Sequence, residues 1–480
     1  MPLTSRYKTK DGQIHTMPPR HSPAPKRFPL NRKWKSGLAV VLVLVLGSAG
    51  GGLYWLFGDN ASGQNDTHIS GSSAEISPAP ASPVATVTAR GKRAVATRNA
   101  AKKRVSPTAA GSSSAMPRPA GRRAAPAPVA ASGPMLGALG ADESDAALAA
   151  GGFTSVVVSA NWQSIEPTEG GYSASAIASV QDEIDSALAA GLSPSLDVGV
   201  QYAPSWIFGV GGGTQFIDQY GDVFTGSQPS GNYIANAITD MNVRAQMGDY
   251  IDYLGTHLTG LGSVRLGGGA NNELGYPSGD AGSQPNAFWF YDASSQAALP
   301  ASMQGWKPGA GATAQATAFL TVYNDALVNY GVWLEQTAAS AFASSVKLEV
   351  VLPGWGERPG DLQSAEADLL QNATPEVNQG LDWTDLLPQL PATGRVVAYT
   401  TYADATQGQA DDPDPAAYIH SILPPGMLEG GESTGNGQST DAGMNLEFAD
   451  ARQWNWYVAN WFFTGQPQTT AQLASAFNGG

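Results

Sequence analysis

The feature that most constrains the fold is the regular alternation of short apolar segments with alanine-rich helical segments between residues 135 and 480. Each apolar segment has the length of a buried strand, and each helical segment ends near glycine or a loop. Strands that alternate with helices in this way are typical of a parallel α/β domain. The predicted strands are residues 135–139, 153–160, 192–200, 263–268, 346–352, 394–401, 427–432 and 443–448.

Helices are predicted between most of these strands. The clearest cover residues 174–190, 237–259 and 314–343, and an aromatic-rich helix over residues 451–463 follows the last strand. Eight strand–helix units in about 345 residues fit a (β/α)8 barrel, or TIM barrel, with long loops. The fold prediction is therefore an α/β TIM-barrel domain over residues 135–480.

Two segments before the domain predict a membrane anchor. Residues 1–36 form a basic tail with nine Lys or Arg residues and one Asp, and residues 37–57 are 21 uncharged residues, the length that crosses a bilayer. Because the basic flank comes first, we expect a single-pass signal-anchor helix in the cell membrane, with a cytoplasmic tail and an extracytoplasmic domain. The alternative is a cleaved signal peptide, although bulky residues 53–57 do not resemble a small-residue cleavage site.

A linker connects the anchor to the domain. Residues 58–134 are rich in Ala, Pro and Ser, carry ten basic residues and contain almost no large apolar side chain. Such a segment cannot bury enough apolar surface to fold, so it is predicted to be a disordered, basic tether.

The domain's composition restricts the chemistry open to it. The chain has no Cys and five His, of which His257 and His420 lie in the domain. This excludes thiol nucleophiles and leaves little material for a zinc site or a Ser-His-Asp triad, so no metal ion and no cofactor are predicted. Carboxylates are the main reactive groups that remain.

The domain's charge bears on its partners. Nineteen of the 26 basic residues and four of the 40 acidic residues precede residue 135, which leaves 7 basic and 36 acidic residues and a net charge of −29. Nucleic-acid binding needs Lys and Arg at the phosphates, so no nucleic-acid partner is expected.

One carboxylate directly follows the fourth predicted strand. Residues 264–278 read Val-Arg-Leu-Gly-Gly-Gly-Ala-Asn-Asn-Glu-Leu-Gly-Tyr-Pro-Ser. This places Asn272 and Glu273 at the strand's carboxyl end, where barrel enzymes carry their active sites. An amide beside a carboxyl group can orient a sugar hydroxyl while the carboxyl protonates a leaving oxygen. The alternative is a loop Glu in solvent.

Several short runs resemble retaining glycoside hydrolases of clan A, particularly the family that includes microbial β-galactosidases. The runs are Trp162…Ile165-Glu166-Pro167…Glu169-Gly170…Tyr172, Gly191-Leu192, Ala203-Pro204-Ser205-Trp206 and Asn272-Glu273. The resemblance implies that Glu273 is the catalytic acid/base. It implies that Glu432, in a Gly-Gly-Glu-Ser run after the seventh strand, is the nucleophile, and that Tyr402 after the sixth strand bonds it.

The sequence also departs from that family and resembles a second one. The clan often has an Arg near the end of the second strand, where this chain has Ser159-Ala160-Asn161, whereas Arg265 lies inside the fourth strand. The run from Glu273 to Ser278 is similar to the Glu-Leu-Arg-Tyr-Pro-Ser segment of β-amylases, with Gly275 in place of the Arg.

Six residues are predicted to bind substrate. Aromatic side chains near strand ends can stack on the flat C–H faces of sugars, with core packing as the alternative. Asp197 lies within an apolar strand and needs a partner, which is either a sugar or another core group. The six residues are Asn272, Tyr402, Trp162, Trp206, Asp197 and Trp355.

The second carboxylate has rivals. Glu429 lies three residues before Glu432, and Glu447 lies on the predicted last strand. Successive strand residues point to opposite faces, so Glu429 and Glu432 cannot both point inward from one regular strand. The glycines around Glu432 favour it as the residue at the open end.

The leading hypothesis is a membrane-anchored, extracytoplasmic glycoside hydrolase that cleaves an O-glycosidic bond of an oligo- or polysaccharide. A retaining mechanism requires the carboxyl groups of Glu273 and Glu432 about 5–5.5 Å apart. One alternative is a non-catalytic glycan-binding or envelope polysaccharide assembly protein on the same barrel. Another is an inverting, β-amylase-like α-glucan hydrolase, for which the separation is about 6.5–9.5 Å.

Overall fold

The structure is a computed structural model of the chain. It describes residues 6–8, 14–16, 133–226, 233–284, 286–354, 356, 361–372, 377, 379–404, 414–434, 441–463 and 468–479. The chain divides into two units, Met1–Leu53 and Tyr54–Gly480. In the first unit the short strands Arg6–Lys8 and Ile14–Thr16 pair antiparallel.

The predicted anchor, residues 37–57, lies outside the described residues, as does the linker up to residue 132. No helix in the described part of the chain is both long and apolar enough to cross a membrane.

Eight parallel strands form a closed barrel in the second unit. Each strand pairs with the next one along the chain, and the eighth pairs with both the seventh and the first. The strands are β1 (Leu136–Leu139), β2 (Ser155–Ser159), β3 (Ser193–Asp197), β4 (Ser263–Leu266), β5 (Lys347–Leu352), β6 (Val396–Thr400), β7 (Leu428–Glu432) and β8 (Ala459–Phe462). The predicted TIM barrel is therefore confirmed.

Helices connect and surround the strands. They are α1 (Asp145–Ala150), α2 (Trp162–Ile165), α3 (Ala174–Ala190), α4 (Met241–His257), α5 (Ala293–Ala298), α6 (Thr313–Ala341), α7 (Asp361–Leu370), α8 (Trp383–Leu386), α9 (Pro415–Ile422), α10 (Asp441–Trp454) and α11 (Thr470–Phe477). The ends of α3 follow from local chemistry. The Ser173 side chain accepts from the Ala176 amide, and Gly191 ends the helix at φ +86°.

The last strand–helix unit differs from the prediction. Residues 443–448 were expected as a strand but belong to α10, and the final strand, Ala459–Phe462, lies inside the predicted helix 451–463. The buried residues of α10 recur at helical spacing, whereas β8 is an almost continuously buried aromatic run. Aromatic residues favour strands, and a short run buried on both faces has no diagnostic period.

Apolar packing lies on both sides of the barrel wall. The largest cluster joins β2 to β6 with the surrounding helices, and a second joins β1 and β8 with α1, α10 and α11. A small cluster fills the barrel interior: Met135, Val351, Val397, Tyr399 and Val458. The interior also holds buried polar side chains, which cost free energy unless they are paired. Their pairing defines the site.

Candidate active site

Glu273 is held by a tight loop at the carboxyl end of β4. Gly267 lies so close to this loop that a Cβ on it would come within 1.6 Å of the Asn272 carbonyl oxygen. Asn271 and Asn272 both adopt left-handed backbone conformations, at φ +57° and +58°. Such conformations are costly outside glycine and cluster at functional sites.

The segment after Glu273 anchors it to the barrel. The Leu274 amide donates to the Val351 carbonyl at the end of β5, at 2.8 Å. Tyr276 is buried, stacks on Tyr323 of α6 at 3.9 Å between ring centroids, and donates its hydroxyl to the Tyr323 carbonyl at 2.9 Å. The run that resembles β-amylases therefore includes a structural residue that fixes the position of Glu273.

Asn272 carries an unpaired donor beside Glu273. Its side-chain Oδ1 accepts from the Gly268 amide at 3.1 Å, while its buried Nδ2 has no hydrogen-bond partner among the residues that the structure describes. A buried amide nitrogen without an acceptor costs free energy, so such a group is a candidate donor to a ligand hydroxyl.

Glu432 is the last residue of β7 and accepts two strong hydrogen bonds. Arg265 of β4 donates its Nη2 to Oε2 at 2.7 Å, and the Tyr399 hydroxyl of β6 donates to the same oxygen at 2.9 Å. Among the described residues Oε1 has no hydrogen-bond partner, so one oxygen is held and the other is not. Charge-assisted bonds of this kind contribute about 1.5–3 kcal/mol.

Tyr399 joins three strands around Glu432. Its hydroxyl accepts from Arg265 Nη1 at 2.7 Å and from Asn460 Nδ2 of β8 at 2.7 Å, so its own proton is directed to Glu432. The Arg265 guanidinium also lies over the Tyr399 ring, 4.6 Å from the centroid. We call Arg265, Tyr399, Glu432 and Asn460 the Glu432 network.

Glu273 lies in a contrasting environment. Burial raises the pKa of its carboxyl to about 7, and the nearby charge of Glu432 adds to that shift. The hydroxyl of Thr401 donates to Oε1 at 2.7 Å and opposes the shift, and the charge of Arg265 opposes it less strongly. A carboxyl with a pKa near 7 can hold a proton at neutral pH and release it to a substrate.

Two further carboxyl groups share Arg265. Asp197, the last residue of β3, lies opposite Arg265 in the sheet register and accepts from the Gly199 amide and Gln201 Nε2, both at 2.9 Å. Glu349 of β5 is fully buried and accepts from the Ser195 hydroxyl at 3.1 Å. Burial raises the pKa of both carboxyls, and Arg265 opposes the shift. Asp197 is partly exposed as a residue, although both of its carboxyl oxygens accept hydrogen bonds.

The three candidates for the second carboxylate separate in the structure. Glu429 points away from the barrel interior and pairs with His420 Nδ1 of α9 at 2.7 Å. Glu447 lies in α10, not on a strand, and is fully buried. Glu432 is the candidate whose charge acts on Glu273.

Other predicted site residues lie in different places. Trp162 is wrong as a sugar contact because it is fully buried, stacked on Tyr250 at 5.3 Å, with its indole nitrogen donating to Glu166 Oε2 at 2.8 Å. Tyr402 follows β6 with its ring against Gly354, and the bond to Glu432 that was predicted for it is made by Tyr399. Trp355 lies outside the described residues.

Sequence reasoning did not find the Glu432 network. The resemblance led us to expect an Arg at the end of the second strand; in the structure the Arg that pairs with Glu432 is Arg265 of the fourth strand. A signal was present, since Arg265 stands between Val264 and Leu266 in a strand that is buried throughout. A buried charge requires a partner, but the sequence does not say which one.

No group of three or more His, Asp or Glu side chains within the described ranges is arranged to hold a metal ion.

No protein-family model matches the chain, and no curated protein matches its sequence. Solved structures do match. The catalytic domain of β-amylase from Paenibacillus polymyxa is similar at 14% identity with a TM-score of 0.51, over 73% of this chain and 98% of that one. A β-galactosidase from the psychrophilic Marinomonas ef1 is similar at 13% identity and TM-score 0.49, over 71% of this chain and 58% of that one. A β-galactosidase from the Antarctic haloarchaeon Halorubrum lacusprofundi is similar at 12% identity with a TM-score of 0.46, over 72% of this chain and 57% of that one.

The predicted similarity to glycosidase TIM barrels is thus confirmed at the level of the fold. This chain spans nearly all of the β-amylase domain but less than two thirds of the two β-galactosidases. At these identities the likeness establishes the barrel alone, and the activities in those names belong to those proteins.

Proposed function

We propose that the domain is a glycoside hydrolase that cleaves an O-glycosidic bond with Glu273 as general acid/base and Glu432 as nucleophile. The observation that carries the proposal is the contrast between two carboxyl groups at the ends of β4 and β7. One has its pKa raised to about 7, and the other is held by an Arg and a Tyr. Glycoside hydrolysis requires one carboxyl group that can hold a proton and a second carboxyl group that can act on the anomeric carbon.

The first step breaks the glycosidic bond. Glu273 gives its proton to the leaving oxygen while an oxygen of Glu432 attacks the anomeric carbon and forms a glycosyl ester. Arg265 and Tyr399 hold Oε2 of Glu432, which leaves Oε1 for the attack. In the second step Glu273, now ionised, takes a proton from water, and the resulting oxygen displaces Glu432 to release the sugar.

Three predicted residues are suited to bind the sugar at this centre. Asp197 offers a carboxyl opposite Arg265, and Asn272 offers an amide nitrogen that has no partner among the described residues. Tyr402, just beyond β6, offers a partly buried ring. These roles, and that of Trp355, stay predictions until a sugar complex is examined.

Isosteric substitution tests the roles of the two glutamates. With a panel of aryl glycosides, Glu432→Gln should abolish hydrolysis whatever the leaving group. Glu273→Gln should slow substrates with poor leaving groups by roughly 10²–10⁴-fold, and dinitrophenyl glycosides much less, because a good leaving group needs no acid. Glu183→Gln, an exposed carboxyl on α3, is the control. Near-normal hydrolysis by either active-site variant would contradict its assignment.

Product stereochemistry separates the mechanisms. A nucleophilic Glu432 gives a product with the same anomeric configuration as the substrate, which NMR can read before mutarotation. An inverted product would instead support the β-amylase-like alternative. Binding of glycans without any turnover would support the non-catalytic one.

The location of the domain is a separate proposal. Residues 37–57 anchor it to the cell membrane as a single-pass helix, and the basic tail keeps the N-terminus in the cytoplasm. External protease should then release the domain from intact cells by cleaving between residues 58 and 134. Retention of the whole chain in the soluble cytoplasmic fraction would contradict this.

A further inference from the structure

A second concave site lies on the face of the barrel that carries Glu273 and Glu432. It is a cavity of about 290 Å³ lined by Glu169, Trp206, Gly209, Val210, Asn242, Ala245 and Gln246. The loop after β2, the 3-10 turn Ser205–Gly209 after β3, and the first turns of α4 each contribute. In a (β/α)8 barrel the loops that follow the strands share the catalytic face. We call this the Trp206 cavity.

The aromatic wall of the Trp206 cavity has a fixed orientation. The indole nitrogen of Trp206 donates to the Glu166 carbonyl at 2.9 Å. The Trp206 ring packs edge-on against buried Trp162, with 6.1 Å between the ring centroids. Trp162 in turn stacks on Tyr250 of α4. The partly buried Trp206 ring is therefore held by the core, so binding a ligand against it costs little side-chain entropy.

The polar wall is supported by the same loop. Buried Glu166 accepts from Trp162 Nε1 at 2.8 Å and from the Gly170 amide at 2.9 Å. The bond from Gly170 closes residues 166–170 into a turn, and Glu169 of that turn lines the cavity. Glu166 and Trp162 belong to the sequence runs that resemble glycoside hydrolases. In the structure these two residues support the cavity and do not line it.

The chemistry of the lining selects a class of ligand. It combines one indole, one carboxylate and the carboxamides of Asn242 and Gln246, with no Lys or Arg. A phosphate or an acidic sugar would meet an unopposed carboxylate. Carboxamides and carboxylates pair with hydroxyl groups as donors and acceptors, while an indole covers the flat C–H face of a sugar ring. The volume is at the low end for small-molecule sites, which suits a single ring.

We propose that the Trp206 cavity is a second carbohydrate-binding position, which holds one neutral sugar unit of a glycan on the catalytic face. It shares no lining residue with the Glu432 network. The proposal rests on the proposed function for the identity of the glycan, but the binding itself does not require hydrolysis.

The test separates binding from catalysis. Binding of three neutral hexasaccharides (maltohexaose, cellohexaose and β-1,4-galactohexaose) is measured by calorimetry on the full chain in detergent, in a Glu273→Gln background that prevents turnover. Adding Trp206→Ala should raise the Kd of the hexasaccharide that binds by about fivefold to tenfold, the size of a modest hot-spot loss. Gln246→Ala should raise it less, and it removes no packing of Trp206 onto the core.

The control is Trp454→Ala, another partly buried indole, which lies on α10 against His420. It should leave the Kd unchanged. In the active background, Gln246→Ala should leave kcat/KM for an aryl monosaccharide within about twofold, since a small substrate does not reach the cavity.

Three results would overturn the inference: an unchanged Kd in both cavity variants, no binding of any of the three hexasaccharides, or binding of tetramethylammonium that is lost with Trp206→Ala. The last would mark a cation site. If no aryl glycoside is hydrolysed but hexasaccharide binding still depends on Trp206 and Gln246, the proposed function fails and the second position stands.

Discussion

The ends of β4 and β7 carry the same chemical group in two different settings. At the end of β7, Glu432 accepts from a guanidinium and a phenol, and both donors belong to a network that spans four strands. At the end of β4, Glu273 accepts from one neutral hydroxyl, that of Thr401, and burial raises its pKa to about 7. The barrel therefore distinguishes two glutamates by their partners, and that distinction is what acid–base chemistry at a single centre requires.

A second comparison lies within β7 itself. Glu429 and Glu432 are three residues apart, so the strand places them on opposite faces. Glu432 meets Arg265 inside the barrel, and Glu429 meets His420 outside it. Both carboxyl groups have a partner, so pairing by itself does not identify a candidate site residue. The two residues are separated by the face of the barrel wall on which each side chain lies.

The largest expected effect comes from removing the cation at the β7 end. Arg265→Met should lower the free energy of unfolding by about 3–5 kcal/mol, because it leaves Glu432 buried without its partner. It should also lower kcat/KM by about 10²-fold or more through loss of carboxylate positioning. Urea denaturation and aryl glycoside kinetics measure the two effects.

Arg452→Met is the matched control, since exposed Arg452 donates only to the Ala476 and Phe477 carbonyls among the described residues. Its unfolding free energy should fall by about 1 kcal/mol at most. If Arg265→Met does not fold, Arg265→Lys keeps the charge and should restore folding with reduced activity. If Arg265→Met and Arg452→Met had equal free energies of unfolding and equal kcat/KM, the Arg265 contact would not be what distinguishes Glu432 from Glu273.

The next largest effect is expected in the pH profile of kcat/KM, through the protonation of Glu273 after β4. Glu273 must hold a proton to act as acid, so kcat/KM should fall as pH rises above about 7. The Thr401 hydrogen bond lowers the pKa of Glu273, so Thr401→Val should move this basic limb to higher pH. Thr400→Val removes the neighbouring hydroxyl and should leave the limb in place. A limb that moves to lower pH, or not at all, in Thr401→Val would show that another group controls it.

The smallest effect is expected outside the barrel. Glu429→Gln alters the hydrogen bond with His420 but touches nothing in the Glu432 network, so kcat/KM should stay within about twofold of the unsubstituted protein. Kinetics with the same aryl glycosides measure this. A large loss of activity would mean that the outer face of β7 contributes to the site, and that the two glutamates of this strand are not separated by function.

The fold was predictable because its pattern is local and repeated. Seven of the eight strands lie where short apolar runs alternate with alanine-rich helices, and α3 has the predicted bounds. The last unit was not predictable in the same way. Residues 443–448 and 459–462 are both short and partly apolar, so their sequence periodicity does not distinguish helix from strand. Packing of α10 against the barrel decides between them.

The candidate site was predictable only in part. Glu273 and Glu432 stand at strand ends, next to glycines, and strand ends form the active face of any such barrel. The partners of these residues come from other strands. Side chains along β6 alternate between the inner and outer faces of the barrel. The strand register, which cannot be read from the sequence, places Tyr399 on the inner face. Tyr399 rather than Tyr402 therefore reaches Glu432.

The amino-acid sequence by itself determined the order of the elements, the barrel class and the two carboxylates at its open end, because each of these follows from local periodicity and residue type. Only the tertiary structure decided which charges meet. Arg265 of β4 and Glu432 of β7 are 167 residues apart and not on neighbouring strands, and their contact exists because closure of the barrel brings both side chains into one interior. The difference between Glu273 and Glu432 arises from that closure, since burial and pairing depend on neighbours that the chain order does not specify.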